Sequence, residues 1–217
     1  MPAVSFLLFI LILFNMSEIK AQTEEWKKIK DVDGISVYTT SKDNSELKTV
    51  KITAEAKSSL SALVSLIKDA SAQKKWVFLN KDCRILKVCN MGEWIYYGQS
   101  EAPWPVLDRD IVSRVRMIQV PDTKEVIITA QTEKGLYPKQ KNFVRIPYGY
   151  SQWRFMPEKN GNVKISLIVK VNLGGNIPLW LMRLVATRGP YLSMKHFLKE
   201  LKKEKYQNIS IPEISEP

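Results

Sequence analysis

The stretch Ala102-Pro103-Trp104-Pro105-Val106-Leu107-Asp108-Arg109-Asp110 interrupts a series of predicted β-strands in the middle of the chain. Proline fixes φ and has no backbone N–H, so the two prolines around Trp104 predict a rigid corner rather than a helix or a central strand. The charged triplet at 108–110 leads directly into a β-type run at 111–116. We interpret the triplet as ion pairs or caps that fix the corner, and Trp104 as part of the core or of a cavity wall.

The corner lies inside a predicted antiparallel meander, because short turns separate the strands and no long helix does. Turn residues occur at 90–92, 121–123 and 159–162. The six expected strands cover 83–89, 93–100, 110–119, 125–132, 143–156 and 163–171.

Two further strands and two helices are predicted before the meander. Asp33-Gly34 marks a turn, and residues 48–56 alternate between polar and apolar types as a strand with one wet face does. Ser58-Ser59 is a typical cap for a helix with apolar residues at helical spacing from Leu60. A second short helix is expected near 70–76.

A long amphipathic helix is predicted after Pro178, a residue suited to a first helical turn. Gly189-Pro190 predicts a kink or break in its middle. A sheet of this size must bury one face, and this helix is the one predicted element long and apolar enough to cover it. The fold class is therefore α+β, a curved antiparallel sheet around a helix with an apolar cavity between them.

Lys and Arg number 33 against 22 Asp and Glu, a net charge of +11. This excess suits an anionic partner such as a membrane surface. The densest charged stretch, 199–205, mixes both signs, so we expect no nucleic-acid partner.

The N-terminal run at 3–14 is apolar and shorter than the roughly 20 residues that a membrane-spanning helix needs. We interpret residues 1–21 as an export signal, which predicts a periplasmic protein. The segment before the run has no Lys or Arg, so an uncleaved membrane anchor is the alternative. We expect the mature domain at 22–206 and a loose polar tail at 207–217.

Catalytic and metal-binding patterns are not evident. Cys83 and Cys89 are about 20 Å apart along one predicted strand, too far to form a disulfide. His196 is the single histidine, and no G-x-S-x-G element or glycine-rich phosphate loop accompanies it. We therefore expect no enzyme activity and no cofactor.

Four segments resemble START domains, the lipid-transfer modules related to the steroidogenic acute regulatory protein. They are Trp26 with Asp33-Gly34-Ile35-Ser36-Val37-Tyr38, then Trp76, then Pro103-Trp104-Pro105 with Asp108-Arg109-Asp110, and finally Gly174-Gly175-Asn176-Ile177-Pro178-Leu179-Trp180. The resemblance implies a helix-grip fold whose tunnel holds one lipid or sterol, usually in a non-enzymatic carrier or sensor. It also implies that the loop at 133–142 and the C-terminal helix gate the tunnel.

We expect a monomer that binds a lipid or another hydrophobic small molecule in its cavity, with transient membrane contact. The expected ligand-contacting residues are Trp94, Tyr96, Trp104, Leu136, Tyr137, Trp153, Trp180, Leu181, Leu184, Met194 and Phe197. Leu136-Tyr137, with lysines around it, suits either insertion into an anionic membrane or a lid that packs down.

Several START domains that bind sterols carry an acidic residue facing an arginine. Tyr96 and Val115 stand at the approximate matching positions here. The resemblance therefore does not imply that this chain binds a sterol. An enzyme of cyclase or hydrolase type on the same fold is one alternative function. A protein-interaction module with a collapsed cavity is the other.

Overall fold

The computed structural model describes residues 25–40 and 49–217, and the expected export signal lies outside this part of the chain. The helices are α1 Leu60–Lys68, α2 Ala70–Trp76, α3 Leu179–Leu201 and α4 Glu204–Gln207. The strands are β1 Trp26–Val32, β2 Ile35–Thr40, β3 Val50–Lys57, β4 Asn80–Asn90, β5 Glu93–Ser100, β6 Asp108–Gln119, β7 Val126–Thr132, β8 Phe143–Arg145, β9 Tyr148–Pro157 and β10 Asn162–Asn172.

The strands form a single sheet in the order β1-β2-β3-β10-β9-β7-β6-β5-β4, and every pair along this path is antiparallel. The single strand expected at 143–156 is in fact two. Pro147, which has no N–H to donate, lies between them. Residues 143–145 pair in parallel with the start of β6, whereas Tyr148 begins the strand that pairs with β10.

α3 and α1 cover one face of the sheet, which we call the inner face. The buried apolar residues of the C-terminal half of α3 recur at helical spacing, as Tyr191, Met194, Phe197 and Leu201. The helix continues through Gly189-Pro190, so the expected break is absent. Proline removes only one helical hydrogen bond, and tertiary contacts with Phe78 hold this turn of the helix.

The C-terminal segment 207–217 is anchored, in contrast to the loose tail that we expected. The Glu216 carboxylate accepts hydrogen bonds of 2.9 Å from the first two backbone N–H groups of α1. Gln119 exchanges two hydrogen bonds with the backbone of Ser215, and Ile214 is buried. A helix N-terminus has unsatisfied donors and a partial positive charge, and both favour a carboxylate there.

Asp69 joins α1, α2 and α4. Its carboxylate accepts hydrogen bonds from Ala72 N at 3.1 Å, Ser71 Oγ at 2.6 Å, Lys205 Nζ at 2.5 Å and Tyr206 OH at 2.8 Å. Partial burial alone would raise the pKa of Asp69, but the hydrogen bonds outweigh it and the pKa lies below its ordinary value of 3.8.

Replacing Asp69 with asparagine should lower the free energy of unfolding by about 1–3 kcal/mol at neutral pH. Because the folded-state pKa is depressed, the charge stabilises the fold fully above the unfolded-state value of 3.8 and progressively less as the pH falls below it. Urea unfolding between pH 7 and pH 3 should show a steeper acid loss in the wild type than in Asp69→Asn. Equal slopes would contradict this prediction, and the exposed Asp122→Asn is the control.

Candidate ligand-binding site

Three aromatic rings occupy the centre of the space between the inner face and α3. Trp76 of α2 makes edge-on contacts with Trp153 of β9, at a centroid distance of 5.9 Å, and with Phe197 of α3, at 5.1 Å. Trp153 and Phe197 are 4.9 Å apart. All three side chains are buried, so this aromatic cluster joins the sheet to both helices.

One end of this interior, below α2 and next to the start of β4, is polar. We call it the polar end; its members are Gln73, Asn80 and Tyr96. The Tyr96 hydroxyl donates a 2.8 Å hydrogen bond to Gln73 Oε1, and burial raises the pKa of Tyr96 well above its ordinary value. A Cβ at Gly98 would lie 2.8 Å from the Tyr96 hydroxyl, so this glycine makes room for the tyrosine ring.

The structure brings five of the expected ligand-contacting residues into one apolar cluster, namely Trp94, Tyr96, Trp153, Met194 and Phe197. Leu181 is buried and Leu184 is half-buried in the N-terminal half of α3. Sequence reasoning noticed Trp76 but did not place it among the ligand contacts, and it missed Gln73 and Asn80. The one clue in the sequence was Gly98, two residues after Tyr96 on the same face of β5. Because it has no side chain, it leaves room for a large ring lying along the strand.

Two of the expected interior residues lie on the surface. Trp104 is 91% exposed and Trp180 is 51% exposed. The corner forms a tight turn closed by a 3.0 Å hydrogen bond from Val106 N to Pro103 O, which directs Trp104 outward. The assignment of Trp104 to the core or cavity wall was therefore wrong.

Arg109 holds the corner beside the start of α3. Its guanidinium donates hydrogen bonds to the carbonyl oxygens of Leu107 and, at 3.4 Å, of Gly174. This contact joins the end of the corner to the segment that leads into α3, and both segments carry exposed apolar residues. We call them the apolar rim; its members are Trp104, Leu107, Leu179, Trp180 and Met182.

Comparison with known proteins identifies the family, because the START domain matches residues 13–206. The chain belongs to the START domain family. It is 28% identical over 175 residues to an uncharacterized protein of Pseudomonas aeruginosa, and the match covers 81% of this chain and 86% of that protein. It is 26% identical over 183 residues to the phosphatidylcholine transfer protein of Bos taurus, with coverage of 82% and 83% respectively.

Solved structures agree with this assignment. A fragment of the STAR-related lipid transfer protein from Xanthomonas axonopodis superposes with a TM-score of 0.75 at 26% identity, over 82% of this chain and 99% of that one. Human STARD10 superposes with a TM-score of 0.73 at 19% identity, over 87% and 77%. The helix-grip fold expected from the sequence is thus confirmed.

The loop at 133–142 of this START domain does not lie over the interior. Leu136 and Tyr137 pack against an apolar cluster on the outer face of the sheet, formed by Ile95, Tyr97 and Val112. The Arg84 guanidinium lies over both tyrosine rings and donates a 2.7 Å hydrogen bond to the Tyr137 hydroxyl. Leu136 and Tyr137 were expected to contact the ligand, but they pack down on the outer face of the sheet and not over the cavity.

The charged triplet of this START domain is structural in all three positions. Asp108 accepts hydrogen bonds from Ala102 N and Lys81 Nζ, and Arg109 makes the two carbonyl contacts described above. Asp110 pairs with Arg145 on β8. Arg114 lies on the outer face, where it pairs with both Glu93 and Glu133.

Two clefts open on the outside of the START domain. One, of about 350 Å³, lies between α2 and β4 and includes Lys74 and Arg84; the other, of about 390 Å³, lies between α1 and the C-terminal segment. Cys83 and Cys89 are both free. Within residues 25–40 and 49–217, no helix is long and apolar enough to cross a bilayer, and no cluster of three or more His, Cys, Asp or Glu suits a metal ion.

Proposed function

We propose that this START domain binds one lipid or similar hydrophobic molecule between the inner face and α3, and carries it between membranes outside the cytoplasm. The observation that carries the proposal is the continuous apolar inner face, which α3 covers and on which the aromatic cluster lies. Burial of apolar surface contributes about 25 cal/mol per Å², enough to hold an acyl chain without any charged contact. Lipid binding is general in the family, and the apolar run at 3–14 supports export.

Because the aromatic cluster fills the centre of the interior, a ligand must displace part of α3 to enter. The C-terminal half of the helix is held by five buried side chains, whereas Leu181 and Gly189 are the buried residues of the first eleven. Pro190 separates the two halves and donates no helical hydrogen bond. We therefore propose that the N-terminal half moves away from the sheet while the C-terminal half stays in place.

The apolar rim is our proposed membrane contact. Tryptophan favours the boundary between headgroups and acyl chains, because its ring is apolar and its N–H is polar. Arg183 and Arg188 are exposed on the same half of α3, and the chain carries a net charge of +11. Insertion of the rim would pull on the half of the helix that has the fewest buried side chains.

The double variant Trp104→Ala/Trp180→Ala should reduce lipid transfer by at least tenfold, since losing two inserted rings removes more than about 1.4 kcal/mol of membrane affinity. The assay follows a fluorescent diacyl lipid that moves from vesicles of phosphatidylcholine and phosphatidylglycerol to unlabelled vesicles. The melting temperature should stay within about 1 °C of the wild type, because exposed side chains contribute little to the fold.

The matched control is Tyr148→Ala, which removes an exposed aromatic side chain outside the rim. Transfer by the double variant at the wild-type rate would overturn the membrane contact but leave the carrier proposal intact. A wild-type protein that neither transfers the lipid nor retains it would overturn the carrier proposal itself.

The filled interior also favours a second candidate function, a protein-interaction module with a collapsed cavity. Native mass spectrometry separates the two proposals. A carrier reisolated from the same vesicles should carry one lipid per chain. Protein that stays free of lipid, while the fluorescent lipid does not move, would favour the interaction module.

A further inference from the structure

We infer that the domain has a second membrane-contacting surface, at the opposite end of α3 from the apolar rim, which binds the anionic headgroups of a bilayer. We call it the basic end; it consists of residues 68–75 and 199–205, which include residues of all four helices. The inference rests on the proposed function, because a carrier that contacts membranes at two ends can bridge its donor and its acceptor.

Lysines are concentrated in these two segments, which hold seven of them and three carboxylates. The C-terminal end of a helix favours cations, because its unpaired carbonyl groups carry a partial negative charge. The lysines that lie in the last turn of a helix are Lys68, Lys74, Lys75, Lys199 and Lys205. Helix chemistry therefore accounts for each lysine singly, whereas their gathering on one surface depends on how the helices pack.

Two carboxylates bring the helix ends together. Glu200 is 5% exposed, and its oxygens lie 4.0 Å from Lys75 Nζ of α2 and 2.6 Å from Lys203 Nζ. Asp69, between α1 and α2, pairs with Lys205 of α4 at 2.5 Å. These pairs fix the ends of α2, α3 and α4 beside one another, so the other lysines of the basic end share one surface.

Three exposed lysines of the basic end can bind an external anion. Among the residues that the structure describes, Lys74, Lys199 and Lys202 have no carboxylate partner. Lys199 and Lys202 are three positions apart, so their side chains lie on the same face of the helix. A lysine close to an anionic leaflet strengthens binding about fivefold.

The cleft between α1 and the C-terminal segment favours a bilayer over another polyanion. Its walls combine Lys68 and Lys205 with the apolar side chains of Ile209 and Ile211, and Ile209 is 37% exposed. Lysines around an exposed apolar side chain are typical of surfaces that lie among lipid headgroups. The tyrosine in the wall, Tyr206, is buried and is not available to stack on a nucleic-acid base.

The apolar rim and the basic end are far enough apart to contact different bilayers. α3 continues as one helix from Leu179 to Leu201, through Pro190. At a rise of about 1.5 Å per residue, roughly 33 Å separates Trp180 from Lys202. A molecule whose rim inserts into one bilayer therefore leaves its basic end available to a second.

The experiment measures the clustering of vesicles that contain phosphatidylglycerol, by dynamic light scattering at about 0.15 M salt. The wild-type protein should cluster these vesicles and leave vesicles of phosphatidylcholine alone separate. The triple variant Lys74→Gln/Lys199→Gln/Lys202→Gln loses three headgroup contacts, so clustering should require about a hundredfold more protein. Native mass spectrometry should still find one lipid per chain, because these exposed lysines lie outside the interior.

The matched control is Lys27→Gln/Lys87→Gln/Lys159→Gln, which removes the same charge from exposed lysines of β1, β4 and the β9–β10 turn. It should cluster vesicles as the wild type does, and both triple variants should keep the wild-type melting temperature within about 2 °C. Raising the salt to about 1 M should disperse the wild-type clusters, a test that needs no variant.

Equal clustering by the two triple variants would overturn the basic end as a contact, and so would clusters that survive about 1 M salt. Tighter binding of the wild type to a double-stranded oligonucleotide than to the anionic vesicles would overturn the choice of partner. Wild-type protein that transfers lipid but leaves the vesicles separate would overturn the inference while the proposed function stands. Protein that clusters vesicles but neither loads nor transfers lipid would count against the proposed function alone.

Discussion

Replacing Asp110 with alanine should lower the free energy of unfolding by about 3–5 kcal/mol, because it leaves a partly buried arginine without its carboxylate. Asp110 is 1% exposed and accepts two hydrogen bonds from Arg145, at 2.8 Å from Nε and 2.9 Å from Nη2. The Tyr97 hydroxyl donates a third, longer bond of 3.3 Å. Hydrogen bonding to Asp110 raises the pKa of Arg145. A guanidinium stays protonated in proteins even without such a partner, so Arg145 remains charged when Asp110 is removed.

The loss of stability in Asp110→Ala should extend to the loop at 133–142. Arg145 also donates hydrogen bonds to the carbonyl oxygens of Tyr137, at 3.1 Å, and Pro138, at 2.9 Å. We therefore expect faster proteolysis within the loop of Asp110→Ala than in the wild type, in addition to the lower stability. Limited trypsin digestion at Lys139 and Lys141 measures this effect.

Urea unfolding provides the stability value, and the melting temperature should fall by roughly 2–4 °C for each kcal/mol. Arg116→Ala is the control, because this arginine is 66% exposed and its ion pair with Glu93 is worth about 1 kcal/mol or less. The double variant Asp110→Ala/Arg145→Met should recover part of the loss, since no uncompensated charge remains. A loss below about 1 kcal/mol for Asp110→Ala would contradict the interpretation that this pair stabilises the corner.

Replacing Phe197 with alanine should destabilise the protein by a similar amount, about 3–5 kcal/mol. The side chain is fully buried and contacts Trp76 and Trp153, so its removal leaves a cavity where α3 meets both α2 and the sheet. The lost stability has two parts. The protein no longer gains the free energy of removing the ring from water, and the rings around the cavity lose their van der Waals contacts with it.

His196→Ala, one residue earlier on the same helix, provides the control because its side chain is exposed. We expect it to change the free energy of unfolding by less than about 0.5 kcal/mol. Chemical denaturation of both variants, followed by tryptophan fluorescence, measures the difference. Equal stabilities of the two variants would show that the aromatic cluster does not anchor α3.

Much of the fold could be predicted because local patterns specify it. The second helix was expected near 70–76 and is observed at Ala70–Trp76. The Asp33-Gly34 turn follows from two residues that tolerate positive φ, and both adopt it, at 56° and 73°. Four motifs in the expected order predicted the family, and the START domain match over 13–206 confirmed it.

The candidate site was predicted less well, since it depends on which face of each strand looks inward. β5 is apolar on both faces: Trp94 and Tyr96 join the inner cluster, whereas Ile95 and Tyr97 join the outer one. Alternation along a strand separates its two faces but does not say which of them is buried under a helix. On β5, burial of the outer face depends on the loop at 133–142.

The sequence by itself determined the order of the elements, the rigid corner and the family, because each depends on residues close together in the chain. The tertiary structure alone decided that Tyr137 packs on the outer face and that Glu216 caps α1. These outcomes depend on contacts between residues distant in the sequence, as for Glu216, which lies 156 positions from Leu60. Their energies are set by burial and hydrogen bonding in the assembled fold, and no local pattern encodes these terms.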